Sequence, residues 1–295
     1  MRKLYSWIIC LVICIGSNVS LEAQTLINYQ QQKQKEIAER QRVEKQRYES
    51  ACEKGTLEAF QEYIKLYPNG KYAVDVRNRI EDYNLWSTAV KTNTIEAYNH
   101  YIATSKSKSF KNDANEAITE LRSIEEWKSI KASKSITEIE LFIKTYPKSS
   151  CITNAQKRIH ELKGENFYLS NDLLNAYQEF NKAGGKYALG KDNQSKFDEC
   201  QEYWEYKNLT SYSSEEKLLA FLGKYPSGRY SDEVSNKVAI SKAKSFTMYS
   251  GNYSLNEALG FAKDETTRSI VKRHYEAKQK EYSQYKKAQR RIKRQ

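Results

Sequence analysis

Residues 56–72 read Thr56-Leu57-Glu58-Ala59-Phe60-Gln61-Glu62-Tyr63-Ile64-Lys65-Leu66-Tyr67-Pro68-Asn69-Gly70-Lys71-Tyr72. Phe60, Tyr63, Ile64 and Tyr67 fall at i, i+3, i+4 and i+7, which is one face of a helix. Thr56 stands just before this stripe, where a side-chain oxygen satisfies a free helix N–H. Pro68 stops the helix, because it has no N–H and disfavours a helical residue before it. Gly70 reads as the permissive backbone of a turn. Tyr72 then opens a second helix that runs to Lys91, past Trp86. The stretch predicts a short helix, a Pro/Gly turn and a longer helix.

The pattern repeats. All three prolines share this context: Tyr67-Pro68-Asn69-Gly70, Tyr146-Pro147-Lys148-Ser149 and Tyr225-Pro226-Ser227-Gly228. The interval from Pro68 to Pro147 equals that from Pro147 to Pro226. Half of it is a period near 40, which requires a proline-free copy between each pair. Trp86-Ser87-Thr88-Ala89, Thr94-Ile95-Glu96-Ala97-Tyr98 and Tyr101 form one such copy. They match Tyr48-Glu49-Ser50-Ala51, Thr56 to Phe60 and Tyr63 at a constant offset. Trp127 and Phe142 begin the third copy. Phe167, Ala176-Tyr177 and Phe180 mark a degraded fourth, Trp204 and Phe221 the fifth, and Phe246 with Leu255 to Leu259 a frayed sixth. The second helix of a copy opens at Tyr72, Phe110, Tyr187 or Tyr230. One helix pair cannot bury its apolar face alone, whereas stacked pairs can. The expected fold is all-α, an α-solenoid of five to six helix-turn-helix repeats over residues 48–262. Tyr63, Tyr101, Phe142 and Phe221 should be equivalent buried positions.

The combination Trp-x-x-Ala, Thr-x-Glu-Ala-Tyr-x-x-Tyr and Tyr-Pro-x-Gly-x-Tyr resembles bacterial tetratricopeptide-like repeats. It is similar to those of the outer-membrane-barrel assembly lipoprotein and of Tol–Pal-associated coordinators. The resemblance implies an exported protein of the cell envelope that binds other proteins and carries no catalytic residues; the absence of ligand motifs leaves no cofactor or metal expected.

The chain has 295 residues, 49 Lys and Arg against 37 Asp and Glu, and a formal net charge of +12. Only 11 Gly and 3 Pro are present, too few for the turns of a loop-rich all-β sandwich or for collagen. Residues 1–23 read as a secretory signal: Arg2 and Lys3, the apolar run Ile8 to Gly16, and Leu21-Glu22-Ala23 before a cut at Gln24. Acylation at Cys14 is disfavoured, because bulky Ile13 precedes it. Cleavage leaves a chain of charge +11, of which residues 272–295, with ten Lys and Arg and two Glu, hold +8. Residues 24–47 read as a polar N-terminal helix and 263–295 as a basic C-terminal helix or tail. Lys286, Lys287, Arg290, Arg291, Lys293 and Arg294 are therefore candidate contacts to an anionic lipid or cell-wall surface. Nucleic acid is not an expected partner of an exported chain.

Other motifs carry less. Gly185 to Lys191 fits the spacing of a phosphate-binding loop, but Asp192 replaces the required Ser or Thr and no strand precedes it. Gly185-Lys186-Tyr187 also aligns with Gly70-Lys71-Tyr72, the inter-helix turn of the repeat. His100, His160 and His274 lack partners at metal-ligand spacing and read as solvated. Cys52, Cys151 and Cys200 are an odd number without close spacing, and Cys52 and Cys151 fall at packing positions. Tyr203, Tyr206 and Tyr212 lie outside the stripes and are candidate exposed aromatics, as are Tyr249 and Tyr253. Two functions follow: a non-catalytic scaffold that binds a protein partner in its groove, or a module that docks on an anionic surface through its basic end.

Overall fold

The computed structural model describes residues 2–210 and 212–293, with the side chains of 2–22 left aside. The proposed signal and Cys14 thus lie outside the described side chains, and Arg294 lies outside the described residues. Among the described residues the fold is all-α, without a strand, and its helices pack in consecutive pairs. The chain divides into two compact units, residues 1–122 and 123–295. The first contains α1 (Arg2–Lys54), α2 (Leu57–Leu66), α3 (Ala73–Thr92), α4 (Ile95–Thr104) and the start of α5 (Lys111–Ile130). The second contains the rest of α5, then α6 (Ile136–Thr145), α7 (Ile152–Leu169), α8 (Leu173–Lys182), α9 (Lys191–Lys207), α10 (Glu215–Lys224), α11 (Ser231–Lys244), α12 (Asn252–Phe261) and α13 (Glu265–Ile292).

Short helices alternate with long ones, and each of α2, α4, α6, α8, α10 and α12 has ten residues. Their length is set at both ends. Thr56, Thr94, Ser135, Asp172 and Ser214 each accept a backbone N–H from three residues ahead. At the other end, Tyr67, Tyr146 and Tyr225 precede prolines and leave the helix with near-identical dihedrals, φ −129, −123 and −125 with ψ 64. Each of these tyrosines donates its N–H to the residue four back, Tyr63, Phe142 or Phe221.

Each helix pair has its own apolar cluster. Tyr63, Tyr101, Phe142 and Phe221 occupy the same position of their short helices and are 2%, 0%, 0% and 5% exposed, as their spacing requires. A second ring contact recurs at one fixed separation along the chain. Tyr48 stacks on Tyr72 at 4.2 Å, Trp86 on Phe110 at 5.2 Å and Tyr206 on Tyr230 at 4.3 Å. The fifth copy is therefore keyed by Tyr206 and not by Trp204, which is 40% exposed. In the fourth copy the equivalent of Tyr72 is Leu189, which is buried. Tyr187 opens no helix; it sits in a 3-10 turn, Lys186–Ala188, and is 93% exposed. Gly184 and Gly185, at φ +115 and +76, make the left-handed turn that shifts this register.

The spacing of aromatics does not disclose a polar clamp that fastens each long helix to the following turn. Glu44, Asp82, Ser123, Glu161 and Glu202 recur once per copy, at the period of the array. Glu44 accepts the Tyr63 hydroxyl at 2.8 Å. Asp82 accepts the Tyr101 hydroxyl at 2.8 Å, the Ser109 N–H at 3.1 Å and the Ser105 hydroxyl. Ser123 pairs with Ser149 at 2.7 Å. Glu161 accepts the Gly190 N–H at 2.8 Å and Asn193 at 3.0 Å, and Glu202 accepts the Tyr230 N–H at 3.0 Å.

The clamp revises the role of two glycines. Neither Gly70 nor Gly228 has a positive φ, so neither is needed for backbone freedom. A Cβ at Gly70 would strike the Glu44 carboxylate, and one at Gly228 the Glu202 carboxylate. Gly228→Ala should accordingly cost about 1–2 kcal/mol, because Glu202 must turn away from the Tyr230 N–H. Chemical denaturation of the single and double variants checks this. In a Glu202→Ala background the same alanine should be nearly neutral; equal costs in both backgrounds would disprove the clash.

Candidate functional site

Several titratable groups with shifted pKa values are engaged inside the fold. Burial raises the Asp82 carboxyl, but hydrogen bonds from Ser105, Ser109 and Tyr101 outweigh this and hold it below the usual value. The same opposition holds Glu161 down: burial raises it, and Asn193, the Gly190 N–H and Arg158 lower it further. Burial pushes the Cys200 thiol up to about 12, so it is a packing residue and not a nucleophile. Cys151 is also buried, Cys52 is half-buried, and all three are free. His160 is not simply solvated: its Nδ1 lies 2.7 Å from Glu179, which also pairs with Lys182 at 2.6 Å. Among the described residues no group of His, Cys, Asp or Glu is arranged to hold a metal.

The phosphate-loop spacing also resolves into the clamp. Gly190 caps α9, and its N–H points at the Glu161 carboxylate. An anion already fills the place a phosphate would take.

Two of the open surfaces bear on a binding role. In the first unit, shallow clefts flank α3 on both sides of Asn84. The larger, about 550 Å³, is lined by Leu57, Tyr83, Trp86, Ser87, Val90 and Lys91. The smaller, about 330 Å³, is lined by Arg77, Ile80, Glu81, Leu85 and Thr88. Val90 is 46% exposed, although its neighbour Trp86 packs on Tyr101 and Phe110. The aromatic stripe therefore forms the floor of the cleft, and Val90 and Lys91 lie on its open side. By the offset of the repeat Val90 aligns with half-buried Cys52, so the pattern reads it as a packing position and does not disclose its exposure.

In the second unit the other surface is the end of α13. The first part of this helix closes the last helix pair. Val271 is fully buried, Tyr275 donates to Asn252 at 3.0 Å, Gln279 donates to the Ser250 carbonyl at 2.8 Å, and Tyr282 meets Tyr249 edge-on at 5.8 Å. The basic segment that begins at Lys272 is thus structural in its first turns. From Ser283 to Lys293 every residue is exposed, including Lys286, Lys287, Arg290, Arg291 and Lys293.

The candidate exposed aromatics separate. Tyr212 is 94% exposed, and Tyr253 and Tyr249 are exposed with it. Tyr203 and Tyr206 are packing residues instead. Tyr203 lies against the cluster of α8 and α9, and Tyr206 stacks on Tyr230 and donates to Glu233. Their spacing misleads because the register of the fifth copy runs through Tyr206. The chain matches no family model, no curated protein and no solved structure.

Proposed function

We propose that this chain is a non-catalytic scaffold, exported to the cell envelope, that holds a segment of a protein partner against the open face of its helical repeats. The α3 clefts carry this reading. They offer Leu57, Val90 and the edges of Tyr83 and Trp86 to solvent along a rigid helix, with Lys91 and Arg77 at their margins. Such an open apolar trough with a charged rim suits an amphipathic segment better than a small molecule, which needs an enclosed pocket. The engagement of the perturbed carboxylates in structural clamps supports a role without acid–base chemistry.

The test places a photo-crosslinking residue at Val90 and, as a control, at exposed Glu140, in cells that make the protein. Crosslinks to one protein from position 90 and none from 140 are expected. The crosslinked segment, once synthesised, should bind Val90→Glu about tenfold more weakly than the unaltered chain, a difference of ~1.4 kcal/mol. Equal crosslinking at both positions, or unchanged affinity, would remove the cleft from the function.

A further inference from the structure

We infer that the distal end of α13, residues 283–293, is an interfacial helix that docks onto an anionic lipid bilayer. The inference stands apart from the partner cleft on α3. It begins with the stripe that packs α13 into its unit: Val271, Tyr275 and Tyr282, which share one helical face. The same register continues as Tyr285, Gln289 and Ile292, but the protein beneath it has ended. Tyr285 is 43% exposed and Ile292 65% exposed. An apolar line thus runs off the folded unit on a helix whose direction is fixed by Tyr275, Gln279 and Tyr282.

Charge identifies what covers this line. Residues 283–293 contain five Lys and Arg and no acid. Elsewhere in the fold lysines and arginines often pair with carboxylates, as Lys242 does with Glu215 and Glu257. No ion pair is found for the five distal cations among the described residues. The last pair along the helix is Lys278 with Glu281, and Lys286 lies over the Tyr282 ring at 4.5 Å. By helical spacing Lys287, Arg290 and Arg291 lie on the side away from the apolar line, with Lys286 and Lys293 along its border. Cationic stems can then rise from an interface while Tyr285 and Ile292 sink into it. A hydrated anionic polymer would satisfy the cations and leave Tyr285 and Ile292 in water. A bilayer with acidic headgroups satisfies both.

The experiment is hydrogen–deuterium exchange on the full chain, read at the peptide covering residues 283–293. This local readout is independent of any contact made by the segment that ends at Ala23. Exchange is followed as vesicles are titrated in, either of phosphatidylcholine alone or of an equimolar mixture with phosphatidylglycerol. The peptide should be protected by the mixed vesicles at low salt, and released at high salt or on phosphatidylcholine. Lys287→Gln with Arg291→Gln should weaken the apparent vesicle affinity about thirtyfold, since each surface cation contributes ~1 kcal/mol. Tyr285→Ser with Ile292→Ser keeps all charges and should also reduce protection. No protection by anionic vesicles would overturn the inference. So would protection that the serine pair leaves unchanged, which would make the contact electrostatic only. These substitutions lie beyond the packed part of α13, so folding is not at stake.

Discussion

Asp82→Ala is expected to lower the unfolding free energy by about 3 kcal/mol, the largest loss foreseen for any single polar side chain of this protein. Asp82 is 1% exposed, and its carboxylate gathers the hydroxyls of Tyr101 and Ser105 and the Ser109 N–H. Alanine leaves those donors facing an empty site. The Tyr101 hydroxyl also accepts the Phe110 N–H at 2.9 Å, so the loss reaches the start of α5. Because the folded carboxyl is held below its ordinary value, its stabilisation is complete above the unfolded pKa of about 4 and disappears as pH falls through the lower folded value. The stability gap between the unaltered chain and Asp82→Asn should therefore be widest near neutrality and shrink below about pH 4. Urea denaturation at several pH values measures it. A gap that stays constant into acid would show that Asp82 is not ionised in the folded protein. Glu161, lowered in the same way, should leave the Asp82→Asn protein with some acid sensitivity of its own.

This clamp marks the boundary of what local pattern discloses. The short helices are legible because three cues agree at Thr56, Tyr63 and Pro68: a cap, an apolar stripe and a stop. Where cues are missing, the register misleads. The fourth copy has no proline and carries the extra turn at Gly184-Gly185, which displaces Tyr187 from the position that Leu189 fills. In the fifth copy Trp204 stands two residues from Tyr206, and only packing on Tyr230 distinguishes the core ring. The clamp residues are mostly acids on a long polar helix. In the sequence Asp82 resembles exposed Glu81 beside it, because only the turn folded over Asp82 separates them. One cue lies in the spacing itself: Glu44, Asp82, Ser123 and Glu202 each stand four residues before Tyr48, Trp86, Trp127 and Tyr206. The candidate surfaces divide likewise. The charge of the last helix is legible, but its split into a packed part ending near Tyr282 and an exposed part beyond it depends on contacts from Tyr249 and Ser250.

Phe142→Ala should cost about 3–5 kcal/mol, the range for removing a fully buried phenylalanine. Phe142 is 0% exposed and lies 5.5 Å from both the Trp127 and the Tyr146 rings, so it joins the end of α5, α6 and the turn before α7. None of these neighbours reaches the vacated space without leaving its own contacts, and a cavity remains. In a repeat array stability is largely a sum of nearest-neighbour terms, so the loss should be concentrated in the two helix pairs that share Phe142. Hydrogen exchange should show α6 and the first turns of α7 losing protection before α11 and α12 do. Phe142→Tyr separates shape from polarity at the same position. Tyr63 and Tyr101 carry a hydroxyl there because Glu44 and Asp82 accept it, whereas the third copy places Ser123, paired with Ser149, in the carboxylate's position. A tyrosine at 142 thus meets no carboxylate and should be destabilising by about 1–3 kcal/mol, although the ring is retained. If Phe142→Ala costs less than about 0.5 kcal/mol, the scale of a surface substitution, then this stripe is not the core of the repeat.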